Sequence, residues 1–444
     1  MLDMEFSNFS IYQVLLLLLI TLSGVVCSVV LGFPLVIGFS PGLFVLGWLA
    51  FTKGFSLKDI AFISLQGVNQ AKIVLLILTL VSFLLPSWYL AGTINQMVDI
   101  ALGLIAPKHF FVLSFLTAMF FSMLLGTTIG TLSSIAVPIL GTAAVLGLPI
   151  QIAAGALVAG AFVGDRTSPF SSSHQLLAHT VEITVKKQGK AMLISTLTAL
   201  FICICFYAGL DLFISKDAAE VGRHLEWTQL SPIKLLPPMI LILFVVLRIR
   251  IVYAFLSSIL SAAVLAFIEG TPILPIVNDL WKGIDGVGGG FIHMYELLLF
   301  LVAAGAYNGL LEKLYIIQPY LEKWLKSSKS LKGDTFKVLM AGGIISLIAA
   351  NQTLPIILTG RSFLPHWSLR YGKEELARVL GDSVMLFPGM VPWSVLTIMC
   401  STIVGIPISG YLPYALFLWI LPFICLVYST MIPLLKKKKS RLVA

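Results

Sequence analysis

Long apolar blocks alternate with short polar ones from one end of this sequence to the other. The blocks "IYQVLLLLLITLSGVVCSVVL" (11–31) and "YALFLWILPFICLVYSTMIPLL" (414–435) are typical. Each is long enough to cross a bilayer, which takes roughly 20 residues. The pattern predicts spans near 11–31, 33–51, 71–91, 162–188, 191–213, 234–250, 251–268, 292–312, 379–405 and 411–435. Two more apolar pieces, near 121–143 and 338–360, are each broken by polar residues and a proline. The second has basic loops on both sides, so it is expected to enter and leave on the cytoplasmic face as a re-entrant hairpin. Residues 145–161 are apolar, yet on this reading they fall in an outer connection. The expected fold class is an all-α polytopic membrane protein with about ten spans plus two hairpins.

A constant offset of 217 residues pairs Gly92 with Gly309, Gly126 with Gly343, Pro138 with Pro355, and Gly164-Asp165 with Gly381-Asp382. Charge gives a more independent test. Residues 361–378 carry Arg361, Arg370, Lys373 and Arg378, whereas 144–161 carry no Lys or Arg. Residues 323–337 carry five lysines and 106–120 only Lys108; conversely, Lys186, Lys187 and Lys190 map onto uncharged residues around 403–407. Basic loops facing neutral ones is the signature of two inverted-topology repeats with broken helices. The expected organisation is N-terminal spans (1–52), a first repeat (53–213), a connecting segment with two spans (214–290), a second repeat (291–435) and a basic cytoplasmic tail (436–444).

Composition sharpens the class. The 444 residues are 58% hydrophobic and 11% charged, against about 25% charged in a soluble domain. The net charge of +9 sits largely in short loops and in "KKKKSR" (436–441). That is an orientation signal, not a footprint for nucleic acid. The start, "MLDMEFSNFS", is acidic and does not read as a cleaved signal. The expected location is the cytoplasmic membrane, multi-pass, with the lipid bilayer and a small ion or small molecule as partners; a homodimer is compatible with this class. Five cysteines, Cys27, Cys203, Cys205, Cys400 and Cys425, lie in apolar segments at no zinc-like spacing. The H-E-x-x-H, G-x-S-x-G and G-x-x-x-x-G-K-[ST] motifs are absent. An ion gradient replaces ATP as the energy source, no cofactor is expected, and the chain does not read as an enzyme.

Asp165 and Asp382 carry the candidate chemistry. Each follows a glycine and precedes a proline, in "GDRTSP" and "GDSVMLFP". A carboxylate inside the membrane costs about 2.5–3.5 kcal/mol on insertion scales, so it is normally functional. Gly and Pro free backbone carbonyls, which with Thr167, Ser168, Ser171, Ser172 and Ser383 form the hard oxygen cage a small cation needs. The bland alternative is that each Asp caps a helix, Asp382 beside Arg378 above all. Turns at "GTTIGTLSSIAVP" (126–138) and "ANQTLPIILTG" (350–360) add Thr127, Thr128, Thr131, Ser133 and Ser134, then Asn351, Gln352 and Thr353. Small residues also serve close helix packing. Arg166 either pairs with Asp165, the preferred reading, or holds an organic carboxylate. His174 and His179 either shuttle protons or are simply hydrogen-bonded in place. Glu296, a further intramembrane acid, is a candidate proton carrier, and Asn308 a weaker site residue.

At these motifs the chain resembles the NhaC-type sodium/proton antiporters of the wider ion-transporter superfamily. The resembling stretches are "GTTIGTLSSIAVPILGTAAVLGLPIQIAAGALVAGAFVGDRTSPFSSSHQLL" and "LARVLGDSVMLFPGMVPWSVL", with a weaker match at "LPSWYLAGTINQMVDIALGLIAP". The resemblance implies inverted halves and a secondary transporter working by alternating access, with Na+ and H+ as coupling ions. Asp165 and Asp382 would be the Na+ ligands. Members usually carry an acid where Ser172 stands, a threonine at His174, and often an acid at Asn351. Those departures keep open a Na+- or H+-coupled carrier of a malate- or lactate-type acid or an amino acid, with Arg166 on the substrate.

Overall fold

The computed structural model describes residues 9–104, 107–214, 231–247, 249–284, 289–314, 316, 330–349 and 351–443. Residues 215–230 of the expected connecting segment and 317–329 of the expected lysine-rich loop lie outside that set. The fold is all-α. In chain order the helices are α1 (Ile11–Leu31), α2 (Leu35–Thr52), α3 (Leu57–Leu90), α4 (Thr93–Leu104), α5 (Phe110–Leu125), α6 (Thr128–Val145), α7 (Ile150–Thr167), α8 (Ser172–Thr180) and α9 (Val185–Ile214). There follow α10 (Leu236–Val246), α11 (Ile251–Ile268), α12 (Ile273–Lys282), α13 (Phe291–Lys313), α14 (Leu331–Ala349), α15 (Thr353–Arg370), α16 (Lys373–Asp382), α17 (Val395–Val404), α18 (Ile408–Tyr411) and α19 (Leu416–Val443). Among the described residues seven helices are long and apolar enough to cross a membrane, or eight if the pair bent by 79° at 404–408 is one span. The protein is a multi-pass membrane protein.

Helices α1, α2, α3, α11 and α13 pack as one group. Small residues set their spacing, as membrane helices require when hydrophobicity itself does not drive association. A Cβ on Gly67 of α3 would strike the Gly305 carbonyl and come within 2.9 Å of Gly309 on α13. Ser56 opens α3 with a reciprocal cap, accepting from the Asp59 amide while Asp59 accepts back from the Ser56 amide.

Helices α5 to α9 and α14 to α19 hold the site. Helix α5 runs parallel to α7: Ser122 donates to the Ala161 carbonyl and, further along both, Ser168 donates to the Met123 carbonyl at 2.8 Å. Helix α6 therefore returns the chain, and α5–α6 is a hairpin with its tip at Gly126 and Thr127. Gly126 is left-handed (φ 68°) and lies against the backbone of Phe170 and Ser171. The second hairpin, α14–α15, turns near Asn351. Its antiparallel course is fixed at the base, where Asp334 accepts from the Tyr371 hydroxyl at 2.9 Å and meets His366 at 3.0 Å.

The two hairpins enter from opposite sides. The base of the second lies on the face where Lys373 meets Glu182 at 2.5 Å and Lys187 meets Glu374 at 3.8 Å, hereafter the basic face. The base of the first lies at the far end of α9, where Asp211 accepts from the Phe111 and Val112 amides at 2.8 and 3.0 Å. That carboxylate satisfies the exposed donors of the α5 N-terminus. The break expected within 338–360 falls at the tip of the second hairpin.

Two expectations change. Residues 145–161 are not an outer connection: 150–167 form α7, a buried helix started by Pro149 and ended before Pro169. Helices α7 and α8 are two halves of one broken element, split at 168–171. Helices α16 and α17 form its counterpart, split at 383–394 around a short 3-10 turn at Phe387–Gly389. The constant offset also fails at the tips. Gly343 lies inside α14, and the turn comes at 351–352, where the Asn351 side chain accepts from the Leu354 amide at 2.9 Å and begins α15.

Candidate functional site

Asp165 sits in the last turn of α7, 7% exposed. Pro169 removes a helical donor just beyond it, and Ser171 restarts the chain as α8 by accepting from the His174 amide at 3.1 Å. The same hydroxyl donates to the Asp165 carbonyl at 2.5 Å. Asp165 Oδ2 accepts from Gln352 Nε2 at 3.0 Å; that amide nitrogen also donates to the Met385 carbonyl at 2.9 Å. Gln352 Oε1 accepts from Ser173 at 2.7 Å. One carboxylate, a side-chain carbonyl, two hydroxyls and a main-chain carbonyl thus converge from four elements: α7, α8, the second hairpin tip and the 383–394 break.

Its neighbour in sequence is engaged elsewhere. Arg166 does not pair with Asp165, contrary to the preferred expectation. Successive helical side chains diverge by about 100°, so Arg166 points to the other side of α7. It is fully buried and pairs with Asp382. Its Nε donates to the Gly381 carbonyl at 2.9 Å and its Nη1 to Thr196 at 2.6 Å. Asp382 also accepts from Ser195 at 2.8 Å and from Arg378 at 3.1 Å. Arg378 in turn donates to Glu375 at 2.6 Å and Ser429 at 2.9 Å. Two guanidiniums and two carboxylates thereby form a balanced chain from the α7 break to the base of α16.

The remaining sequence candidates divide. Thr167 and Ser383 donate to helical carbonyls four residues back, at 2.5 and 2.6 Å, as do Thr131 and Ser134 at 2.8 and 2.7 Å. Ser168 ties the break to α5. Thr127 precedes α6 without a side-chain cap, while Thr128 and Ser133 bury hydroxyls that lack a partner among the described residues. Ser172 is exposed; Ser173, one position on, faces the site. His174 is buried and held by Gln188, 2.8 Å from its Nδ1. Thr353 is exposed at the start of α15, and His179 is exposed near the end of α8. Glu296 lies on the exposed surface of α13, bonded to Tyr295 at 3.2 Å, and is not brought to Asp165. Sequence reasoning missed Ser173, Ser195, Thr196 and the Met385 carbonyl. The "ST" pair within apolar α9 was a usable signal; a backbone carbonyl leaves none.

The model of the Na+/H+ antiporter family matches residues 160–431, from the approach to Asp165 to Met431 in α19. The chain belongs to this family. Among curated proteins it is 27% identical to the Na(+)/H(+) antiporter NhaC of Bacillus subtilis over 396 residues, 84% of this chain and 87% of that one. It is 25% identical to the NhaC of Alkalihalophilus pseudofirmus over 379 residues, 80% of each chain. A malate-2H(+)/Na(+)-lactate antiporter of Bacillus subtilis is 23% identical over 432 residues, 93% of this chain and 92% of that one.

Proposed function

We propose that this chain is a secondary transporter of the cytoplasmic membrane that exchanges Na+ for H+, and not an enzyme. The observation that carries the reading is Asp165: a buried carboxylate at a helix break that meets neutral hydrogen-bonding groups and, among the described residues, forms no ion pair. A carboxylate that binds a proton loses much of its attraction for a hard cation. Competition of Na+ and H+ for Asp165 therefore couples the two flows. Ser171, Ser173, Gln352 and the Met385 carbonyl are the neutral ligands within reach. In this reading the Asp382 carboxylate is a structural counter-ion, because Arg166 and Arg378 already occupy it.

The same contacts weigh against an organic-acid carrier. Such a carrier would use Arg166 to grip the substrate carboxylate, but Asp382, Gly381 and Thr196 engage that guanidinium. Purified protein in vesicles loaded with a pH-sensitive dye tests the proposal. A Na+ pulse should move the internal pH, and malate, lactate and amino acids should not. Solute uptake with no Na+-driven pH change would overturn it.

A further inference from the structure

A cavity of about 470 Å³ separates the tip of the second hairpin from α3 and α13. It follows α15 from Asn351 and Thr353 at the tip to Ile357, one turn further toward the basic face. Gln70 lines it from α3, and Asn308 and Glu312 line it from α13. Glu312 supplies the one ionisable side chain of this wall, and the other lining residues are neutral. It is exposed and next to the last residue of α13. Deeper in, the Asn308 Oδ1 is shielded from solvent and has no partner among the described residues. A buried acceptor left unpaired is costly and rare in a folded protein. Here it faces a largely apolar cavity that also carries Gln70, Asn351 and Thr353, and a water or cation admitted there would satisfy it.

A second cavity, of about 630 Å³ beside α15, has a different lining. His179, Glu182 and Arg361 surround it. The first, in contrast, combines a carboxylate with neutral oxygens and has no cationic lining residue. It ends at the tip whose central residue, Gln352, is bonded to Asp165.

We propose that the cavity between α3, α13 and the second hairpin tip is a cation vestibule. Through it Na+ moves between the basic face and Asp165, with Glu312 gathering cations at its mouth and Asn308 Oδ1 as a transient ligand along the way. The proposal rests on the exchange reading above and adds the route and its charge selectivity. A wall with negative charge concentrates cations and repels anions, and salt screens the effect.

Thiol labelling tests it in membrane vesicles of both orientations. The exposed cysteines Cys27 and Cys205 are first changed to serine, and Asn308→Cys is added to that background. A positively charged, water-soluble methanethiosulfonate should react from the basic-face side at least about tenfold faster than its negatively charged counterpart. Na+ should slow that reaction, and completed labelling should block exchange. Glu312→Lys should cancel the preference for the positive reagent. It should also raise the Na+ concentration for half-maximal flux about fivefold at low ionic strength, and less at high. Absence of reaction from that side, equal rates for the two reagents, or full exchange after labelling would each overturn the vestibule. Wild-type vesicles that exchange no Na+ while the cysteine keeps its charge preference would overturn the function and leave the cation-selective cavity standing.

Discussion

Asp165 and Asp382 occupy equivalent positions in the two halves, each after a glycine at the end of a helix that then breaks, yet their surroundings are opposite. Asp165 meets the Gln352 amide and the Ser171 and Ser173 hydroxyls, all neutral. Asp382 is fully buried between Arg166 and Arg378. A repeat therefore fixes where the chain breaks and where the carboxylates stand, but not what they do. Neighbouring charges decide that. In the proposed exchange, the carboxylate between two guanidiniums binds the halves together, whereas the one facing neutral groups stays open to a mobile ion. Arg166 links the two environments, being adjacent to the first acid in sequence and bonded to the second in space.

The largest expected effect lies at the open acid. Asp165→Asn keeps the size and one oxygen ligand but removes the charge and the exchangeable proton. Na+-driven pH change in vesicles should fall to the background of empty liposomes. The purified mutant should elute as the wild type does and melt within a few degrees of it. Exchange at the wild-type rate with an unchanged pH profile would make Asp165 structural.

The closed acid should answer in the other currency, stability. Asp382→Ala leaves Arg166 and Arg378 buried without their shared partner, and removing one member of a buried pair typically costs about 3–5 kcal/mol. The expected signs are a lower melting temperature in detergent and less protein in the membrane. Changing Arg166 and Asp382 together to methionine and leucine should recover part of that loss, because no uncompensated charge remains at that pair. A single mutant as stable as wild type but unable to bind Na+ would assign Asp382 to the ion site instead.

These two environments were only partly legible in the sequence. The breaks were readable because Gly164, Pro169, Gly381 and Pro388 act locally on the backbone. The basic and neutral loops gave the opposite entry of the two hairpins. The partner of Arg166 was not readable, because it lies 216 residues away and depends on how α7 packs against α16. Proximity in sequence pointed to Asp165, and helical geometry excludes it. Glu296 misled for a related reason. Hydropathy places an acid within an apolar helix but does not say which face of the helix meets protein.

A smaller effect is expected from the neutral ligands. Gln352→Ala removes the donor to Asp165 and the acceptor for Ser173, and Ser173→Ala removes the other side of that bond. A neutral hydrogen bond contributes modestly, so each change should raise the half-saturating Na+ about three- to tenfold with the maximal rate largely kept. The equivalent change near the closed acid, Ser195→Ala, should lower stability and leave Na+ affinity unchanged. A Ser195→Ala protein with weakened Na+ affinity and normal melting would erase the distinction between the two sites.

The smallest effect concerns Ser172, the position where the family resemblance leads one to expect an acid. Ser172→Asp restores that carboxylate, and from sequence alone it would be expected to strengthen Na+ binding. Ser172 is exposed at the first position of α8, while Ser173 faces Gln352. A carboxylate at 172 would lie outside the Ser173–Gln352–Asp165 contact. It would also lie at a helix N-terminus, where a negative charge stabilises by about 0.3–1 kcal/mol. The mutant should therefore melt slightly higher and bind Na+ within about twofold of wild type, as expected for a charge outside the site's contacts. Ser173→Asp should behave differently, because it places a second carboxylate one side chain away from the first. Two close acids disfavour joint ionisation, so its exchange should shift to higher pH. A large gain in Na+ affinity from Ser172→Asp would mean that α8 turns during transport to bring position 172 into the site. That would make the open acid's surroundings, and not only its accessibility, part of the transport cycle.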